Sequence, residues 1–332
     1  GAPAGPRAIP TPEQRAWQDL GVGMFIHFAP NTWRDMEYDD LSVPLQEINP
    51  EKLDTDQWVD TAIAMGANYI VFVAKHAGGF CMWKTATTEY GIAHTPWRGG
   101  NGDVMADLAR SCAKKGMKLG VYLSPQDKKQ GAGTGGRCEN AEKQKAYDTL
   151  YRAQLTELLT NYGPVVEVWF DGSQVTPVGD ILKKHAPGAM VFQGPHATIR
   201  WVGNEMGFAP YPAWNGVSAR DAATGIATAI HGDPDGERWL PNEVDVSLRR
   251  PNWFWSTKNH TRIMSPDELM EVYYRSVGRG ANLLLNLTPD TSGLIPAADV
   301  ARAREFGDEA RRRFGKSLRS EEHTSELQSR QV

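Results

Sequence analysis

Short apolar runs alternate with helix-forming patterns all the way from residue 23 to residue 314, and this alternation constrains the fold more than any other feature. The clearest run, Val165-Val-Glu-Val-Trp-Phe170, is rich in β-branched and aromatic residues, as is a strand buried on both faces of a parallel sheet. Candidate strands are Gly23–Phe28, Tyr69–Ala74, Lys118–Leu123, Val165–Phe170, Ala189–Phe192, Arg200–Val202, Glu243–Val246 and Asn282–Asn286. Helix boundaries are legible between them. Asp54 precedes Trp58, Ala62 and Met65, with Gly66 as the stop; Asp103 opens the stripe Val104, Leu108, Cys112, and Gly116 closes it. Leu150, Tyr151, Leu155, Leu158 and Leu159 share a face, and Val300, Ala303, Phe306 and Ala310 give a last helix. Ser265-Pro-Asp-Glu268 reads as a capping box with proline at the first helical position. Eight such alternations predict an α/β fold, a parallel sheet closed on itself as a (β/α)8 TIM-type barrel. No linker interrupts residues 20–314.

Composition removes whole classes of function. The 332 residues are 40% hydrophobic and 23% charged, the balance of an ordinary globular protein with a sizeable core. Thirty-six basic against 40 acidic side chains leave a net charge of −4 with no basic block, which argues against nucleic acid or an anionic membrane as partner. No apolar run approaches the ~20 residues of a membrane span. Cys81, Cys112 and Cys138 form no Cys-x-x-Cys pair, so neither a disulfide framework nor a metal or redox centre is expected, and no cofactor is called for. Gly131-Ala-Gly-Thr-Gly-Gly136 matches a dinucleotide fingerprint in letters only. It begins eight positions after Leu123 and opens no helix, so it reads as a lid beside the barrel mouth.

The two ends stand apart. Gly1-Ala-Pro-Ala-Gly-Pro6 has loop composition and no initiating methionine, so either a leader has been removed, with export to the periplasm or medium expected, or the chain is a fragment. Arg319 to Ser329 has no amphipathic period and reads as an in-frame translation of a sequencing-library adaptor, so the natural sequence is expected to stop near Leu318. The expected organisation is an extension over 1–16, a catalytic barrel over 17–318 and a non-native tail over 319–332.

The carboxyl ends of barrel strands carry the chemistry in such folds, and polar side chains gather there in this sequence. His27 follows the first strand, Lys75 and His76 the second, Ser124 the third, and Trp169 and Asp171 the fourth. Gln193 and His196 follow the fifth, Asn204 and Glu205 the sixth. Any one of these alone would cap a helix or satisfy a core hydrogen bond. Together they converge on one rim. Two carboxylates flanking a bound sugar are the minimum machinery of a glycosidase.

Several segments also carry a family resemblance. Phe25-Ile-His27-Phe, Lys75-His76-x-Gly-Gly79-Phe80, Gly120-Val-Tyr122-Leu-Ser124, Trp169-Phe-Asp171-Gly172 and Trp201-Val-Gly-Asn-Glu205 resemble the α-L-fucosidases of glycoside hydrolase family 29. Asn242-Glu-Val-Asp-Val-Ser247 and Asn282-Leu-Leu-Leu-Asn286 fit the same family, over residues 17–314. Trp-Val-Gly-Asn-Glu is closest to the branch that cleaves α-1,3 and α-1,4 fucosyl linkages. The resemblance implies a retaining exo-glycosidase, with Asp171 as nucleophile and Glu205 as acid/base. It implies substrate binding by His27, Glu37, Tyr38, His76, Tyr122, Trp169 and Arg200, with no metal. Glu243 is the alternative acid/base. The implied partner is a fucosylated oligosaccharide or glycoconjugate, with oligomeric state left open.

The chain departs from the family in places. Where Lys-His-His-Asp-Gly-Phe is usual, this chain has Lys75-His76-Ala77-Gly78-Gly79-Phe80, so one imidazole and one carboxylate are missing. Tyr38 stands where many relatives have tryptophan. The family's C-terminal β-sandwich is expected to be absent. A carbohydrate-binding barrel with lost or redirected turnover is therefore the competing reading, and an inactive fragment a third.

Overall fold

The computed structural model describes residues 8–220, 231–258 and 262–315. The tail over 319–332, the first residues of the N-terminal extension and any C-terminal sandwich lie outside them. The eight expected strands form one parallel sheet: β1 (Val22–Ile26), β2 (Tyr69–Lys75), β3 (Lys118–Leu123), β4 (Glu167–Trp169), β5 (Met190–Phe192), β6 (Arg200–Trp201), β9 (Asn242–Ser247) and β10 (Asn282–Asn286). Their order is β5-β4-β3-β2-β1-β10-β9-β6, and a parallel bridge between Phe192 and Ile199 joins the two outer strands. The sheet thereby closes into a barrel. Between β6 and β9 lies a small antiparallel ribbon, β7 (Gly216–Val217) with β8 (Arg238–Trp239).

Local chemistry sets the helix ends. In α2 (Thr55–Met65) the Asp54 side chain accepts from the Asp56 and Gln57 N–H groups, and Gly66 ends the helix in the left-handed region at φ 86°. In α3 (Val104–Lys115) Asp103 and Gly116 play the same parts. Asn140 caps α4 (Ala141–Thr160), and α5 (Gly179–His185) is a short helix that the apolar pattern did not announce. The Ser265/Glu268 capping box opens α6 (Pro266–Ser276), and α7 (Ala297–Phe314) closes the described chain. A second capping box, Thr11 with Gln14, starts α1 (Pro12–Leu20), which runs across the expected domain boundary at residues 16 and 17.

The strict strand–helix alternation breaks in one sector. No helix separates β5 from β6, only the turn 193–199, and the described part of the excursion after β6 carries the ribbon. These strands are three and two residues long, and the seven residues that join them are fewer than a crossover helix needs.

Two cores result. Ile70, Phe72 and Ala74 of β2 face the helices, whereas Tyr69, Val71 and Val73 face the barrel axis with Phe25, Tyr122, Trp169 and Phe192. The same period of two sends Glu167 and Trp169, Glu243 and Asp245, and Asn282, Leu284 and Asn286 inward. α1 closes the amino-terminal end, where Trp17 is 1% exposed and joins the axial core. Among the described residues no helix is long and apolar enough to cross a membrane.

Candidate active site

A cavity of about 440 Å³ opens at the carboxyl ends of the strands, a volume suited to a monosaccharide and its first linkage. Its lining includes Asp171, Glu205, His27, His76, Tyr122, Trp169, Glu37 and Tyr38, so eight of the nine expected site residues meet there. Arg200 does not. It is 1% exposed, and its guanidinium donates to the carbonyls of Leu240 (Nε, 3.0 Å) and Trp214 (Nη2), tying β6 to the ribbon sector. A strand of two residues has little ladder of its own, so a buried cation that recruits loop carbonyls holds it in place. Arg200 therefore lies outside the cavity lining, among backbone carbonyls of the β6 sector.

Asp171 lies two residues beyond β4 and opens toward the cavity. Gly172 follows at φ 79°, a conformation that strains any side-chain-bearing residue, and lets the chain leave the axis at once. The turn is tied to its neighbour: Gly172 N–H donates to Gln193 Oε1 at 2.9 Å. Tyr122, inward-facing on the adjacent β3, donates its hydroxyl to Asp171 Oδ2 at 2.8 Å. Burial raises the Asp171 pKa above the usual carboxylate range, and the Tyr122 hydrogen bond opposes the rise.

His27 shows which nitrogen serves the cavity. Asn286 Nδ2 donates to the carbonyl of Trp253 at 3.0 Å, which fixes the amide so that its oxygen faces His27 Nδ1 at 2.8 Å. Nδ1 therefore carries the proton and Nε2 is the free acceptor. Burial, helped by the proximity of His76, pushes the His27 pKa down to about 3. Burial alone lowers His76 to about 4, and its Nδ1 is buried without a partner. Both imidazoles are thus neutral across the working pH range.

His76 reaches the cavity only because β2 is irregular. The register shifts between Val73 and Lys75, and this bulge turns Lys75 out of the barrel and His76 in. Lys75 is fully buried among Asp127 Oδ2 (2.9 Å), Gln154 Oε1 (2.9 Å) and Tyr147 Oη (3.2 Å). It belongs to the helix layer. Asp127 in turn starts the glycine-rich loop, whose Gly135 carbonyl accepts from Val175 N–H at 2.9 Å. That loop supports the turn after Asp171 and does not line the cavity, so it is a buttress where a lid was expected.

The floor is aromatic. Trp169 stacks on Phe192 at 3.5 Å between ring centroids and on Tyr122 at 5.6 Å. Phe25 closes the stack at 4.9 Å from Trp169. Opposite stand residues the sequence reading missed. Trp253 and Phe254 follow β9 on a loop held by Glu37, whose carboxylate accepts their backbone N–H groups at 2.6 and 3.3 Å. Burial raises the Glu37 pKa against those two bonds. Trp253 Nε1 donates to Glu205 Oε2 at 3.3 Å, and Trp201 Nε1 to Asp245 Oδ1 at 2.9 Å. Asp245 lines the cavity too. Burial, then the charges of Glu205, Glu243 and Asp171, drive its pKa well up. Its signal was available: it shares the inward face of β9 with Glu243. The loop aromatics offered none, because no periodicity governs a turn.

The remaining strand-end residues are structural. Ser124 donates to the Gln126 carbonyl, Asn204 bonds Met206 N–H and the Phe208 carbonyl, and the His196 ring packs beside Gly179. Glu243 lies below the cavity. Among the described residues no group of three or more His, Cys, Asp or Glu side chains is placed to hold a metal.

Known proteins resemble this chain in sequence and fold. The family model described as Alpha-L-fucosidase matches residues 25–311. Alpha-L-fucosidase 1 of Arabidopsis thaliana is 35% identical over 323 residues, covering 93% of this chain and 62% of the relative. A relative from Oryza sativa subsp. japonica is 36% identical over 310 residues, covering 90% and 58%. The chain thus spans about six tenths of the length of these curated relatives. A Ruminococcus gnavus GH29 fucosidase solved in complex with fucose superposes with a TM-score of 0.81 at 30% identity, covering 95% of this chain and 70% of that one. A glycoside hydrolase 29 family member from an unknown rumen bacterium gives 0.82 at 32% identity, covering 92% and 57%. A barrel and a sequence match that agree over nearly the same residues leave one assignment: the chain belongs to the α-L-fucosidase family, glycoside hydrolase family 29.

Proposed function

We propose that this chain is an exo-acting α-L-fucosidase (EC 3.2.1 class) that hydrolyses terminal α-fucosyl linkages of oligosaccharides or glycoconjugates with retention. The supporting observation is one closed-ended cavity that holds Asp171 at a strand end and Glu205 at the mouth, over an aromatic floor. In this reading Asp171 attacks the anomeric carbon while Glu205 protonates the departing oxygen; Glu205 then removes a proton from water, which hydrolyses the glycosyl ester. The neutral His27, with Nε2 free, accepts from a sugar hydroxyl, and Trp169 packs against the sugar's apolar face. Tyr122 holds Asp171 in line.

The test is 4-nitrophenyl α-L-fucoside with proton NMR of the first sugar released. Initial α-L-fucose supports the proposal, and initial β-L-fucose would overturn double displacement. Fucose binding without turnover would favour the carbohydrate-binding reading raised by Ala77 and Gly78. A preference for α-1,3 and α-1,4 linkages, and export from the cell, belong to the same proposal. Linkage-defined fucosyl trisaccharides and fractionation of the source organism test them.

A further inference from the structure

Below the aromatic floor, two glutamates meet across the barrel axis. Glu167 comes from β4 and Glu243 from β9, both without exposed surface. Glu243 accepts from Tyr69 Oη on one oxygen (2.7 Å) and from Trp169 Nε1 on the other (2.8 Å). Glu167 accepts from Trp17 Nε1 at 2.7 Å on Oε1, while its Oε2 is buried and receives no donor. The donors that hold the two carboxyl groups, Trp17 and Tyr69, are neighbours with ring centroids 6.3 Å apart, so the two groups face each other in one dry pocket and interact directly.

Two carboxylates in contact inside a dry core repel strongly, and the pair relaxes by keeping a proton between them. Its place follows from the donors already supplied. Glu243 has a donor on each oxygen and is stabilised as the anion. Glu167 has one donor and one bare oxygen, so a proton on Oε2 both satisfies that atom and donates to Glu243. The direction of the shifts agrees: burial first, then Glu243, push Glu167 far above the usual carboxylate range. The other titratable groups facing the pair are Tyr69 and, further along β9, Asp245. Neither supplies a cation.

We propose that Glu167 is held as the neutral acid and Glu243 as the carboxylate, which makes Glu243 the positioning residue for Trp169 and the sugar floor. The column is continuous. Trp17 of α1 donates to Glu167, Glu167 to Glu243, and Trp169 to Glu243 from above. Trp169 then stacks on Tyr122, which holds Asp171. Glycine is required beside this column, because a Cβ at Gly23 would stand 2.6 Å from the Tyr69 ring.

The proposal rests on the fucosidase reading for its kinetic arm, and a spectroscopic arm stands apart from it. Glu167→Gln reproduces a neutral acid: its amide oxygen accepts from Trp17 and its NH2 donates to Glu243. This variant keeps kcat/KM for 4-nitrophenyl α-L-fucoside within about threefold of wild type. In infrared difference spectra at neutral pH it loses the carbonyl band of a protonated carboxyl, a readout that needs no substrate. Glu243→Gln places an NH2 among three donors, and KM rises at least about tenfold with a smaller change in kcat. Should Glu243→Gln fail to fold, Tyr69→Phe/Glu243→Gln removes one competing donor and restores a folded enzyme with the same raised KM. An unchanged KM in Glu243→Gln overturns the positioning role. A wild-type-minus-Glu167→Gln difference spectrum with no protonated-carboxyl band overturns the proton's placement, because the buried Asp245 is present in both proteins and cancels. A wild-type enzyme that shows the band but no fucoside turnover contradicts the function and leaves the proton assignment standing.

Discussion

The two carboxylates proposed for chemistry are held in opposite ways. Asp171 stands two residues past a barrel strand, bonded to Tyr122 on the neighbouring strand and flanked by a turn that Gln193 ties down. Glu205 stands on the exposed part of the excursion after β6, with a 3.3 Å contact from the Trp253 indole. A nucleophile must be aimed within a fraction of an ångström, which a strand end provides. An acid/base must protonate a leaving group and then meet water, which a position at the solvent edge provides. Asp171 is thus anchored on the β4 side of the mouth, and Glu205 is presented at the solvent edge on the β6 side.

Breaking the anchored side has the largest expected effect. Asp171→Asn keeps the Tyr122 contact through its amide oxygen and so folds, yet turnover falls by about 10⁴-fold or more. Near-normal rates on 4-nitrophenyl α-L-fucoside would remove Asp171 from the nucleophile's place. At the solvent edge, Glu205→Gln costs about 10²–10⁴-fold on a fucosyl trisaccharide, whose leaving group needs a proton. On the activated aryl fucoside the loss is much smaller. Equal losses on both substrates would mean that another carboxyl, such as Asp245, supplies the proton.

A smaller effect sharpens the electrostatic half of the contrast. Only ionised Asp171 attacks, so kcat/KM rises as pH climbs through its elevated pKa. The Tyr122 hydroxyl favours the ionised form. Tyr122→Phe removes that contact, so the acid limb of the pH profile moves to higher pH; an unmoved limb would assign it to a different group. The smallest catalytic effect is expected from Arg200→Met, with KM for the aryl fucoside unchanged. Its cost is stability, about 1–3 kcal/mol from the stranded Leu240 and Trp214 carbonyls, read as a lower denaturation midpoint. A raised KM with normal stability would return Arg200 to substrate binding.

How much of this was legible differs along the chain. All eight barrel strands were found to within two residues because apolar runs and capped helices carry a strong period. His27, Trp169 and Asp171 were placed together as strand-end residues and Tyr122 by the family resemblance, and the period of two explains why the structure turns all four inward. Between β5 and β9 the expected alternation is broken by the turn 193–199, and the ribbon was not anticipated, since its strands of two residues leave almost no period. Arg200 lies outside the cavity there, and an arginine at a strand end looks the same in sequence whether it faces a sugar or a carbonyl.

Sequence by itself determined the barrel, its family and the identity of the strand-end residues, because periodicity, capping and short motifs are local and chemically specific. Tertiary structure alone decided the rest. The bulge in β2 chose His76 over Lys75 for the cavity, the Glu37 carboxylate brought Trp253 and Phe254 to the mouth, and closure of the sheet set Glu167 against Glu243. Each depends on groups far apart in the chain, whose hydrogen bonds and shared proton exist only once the barrel has removed them from water.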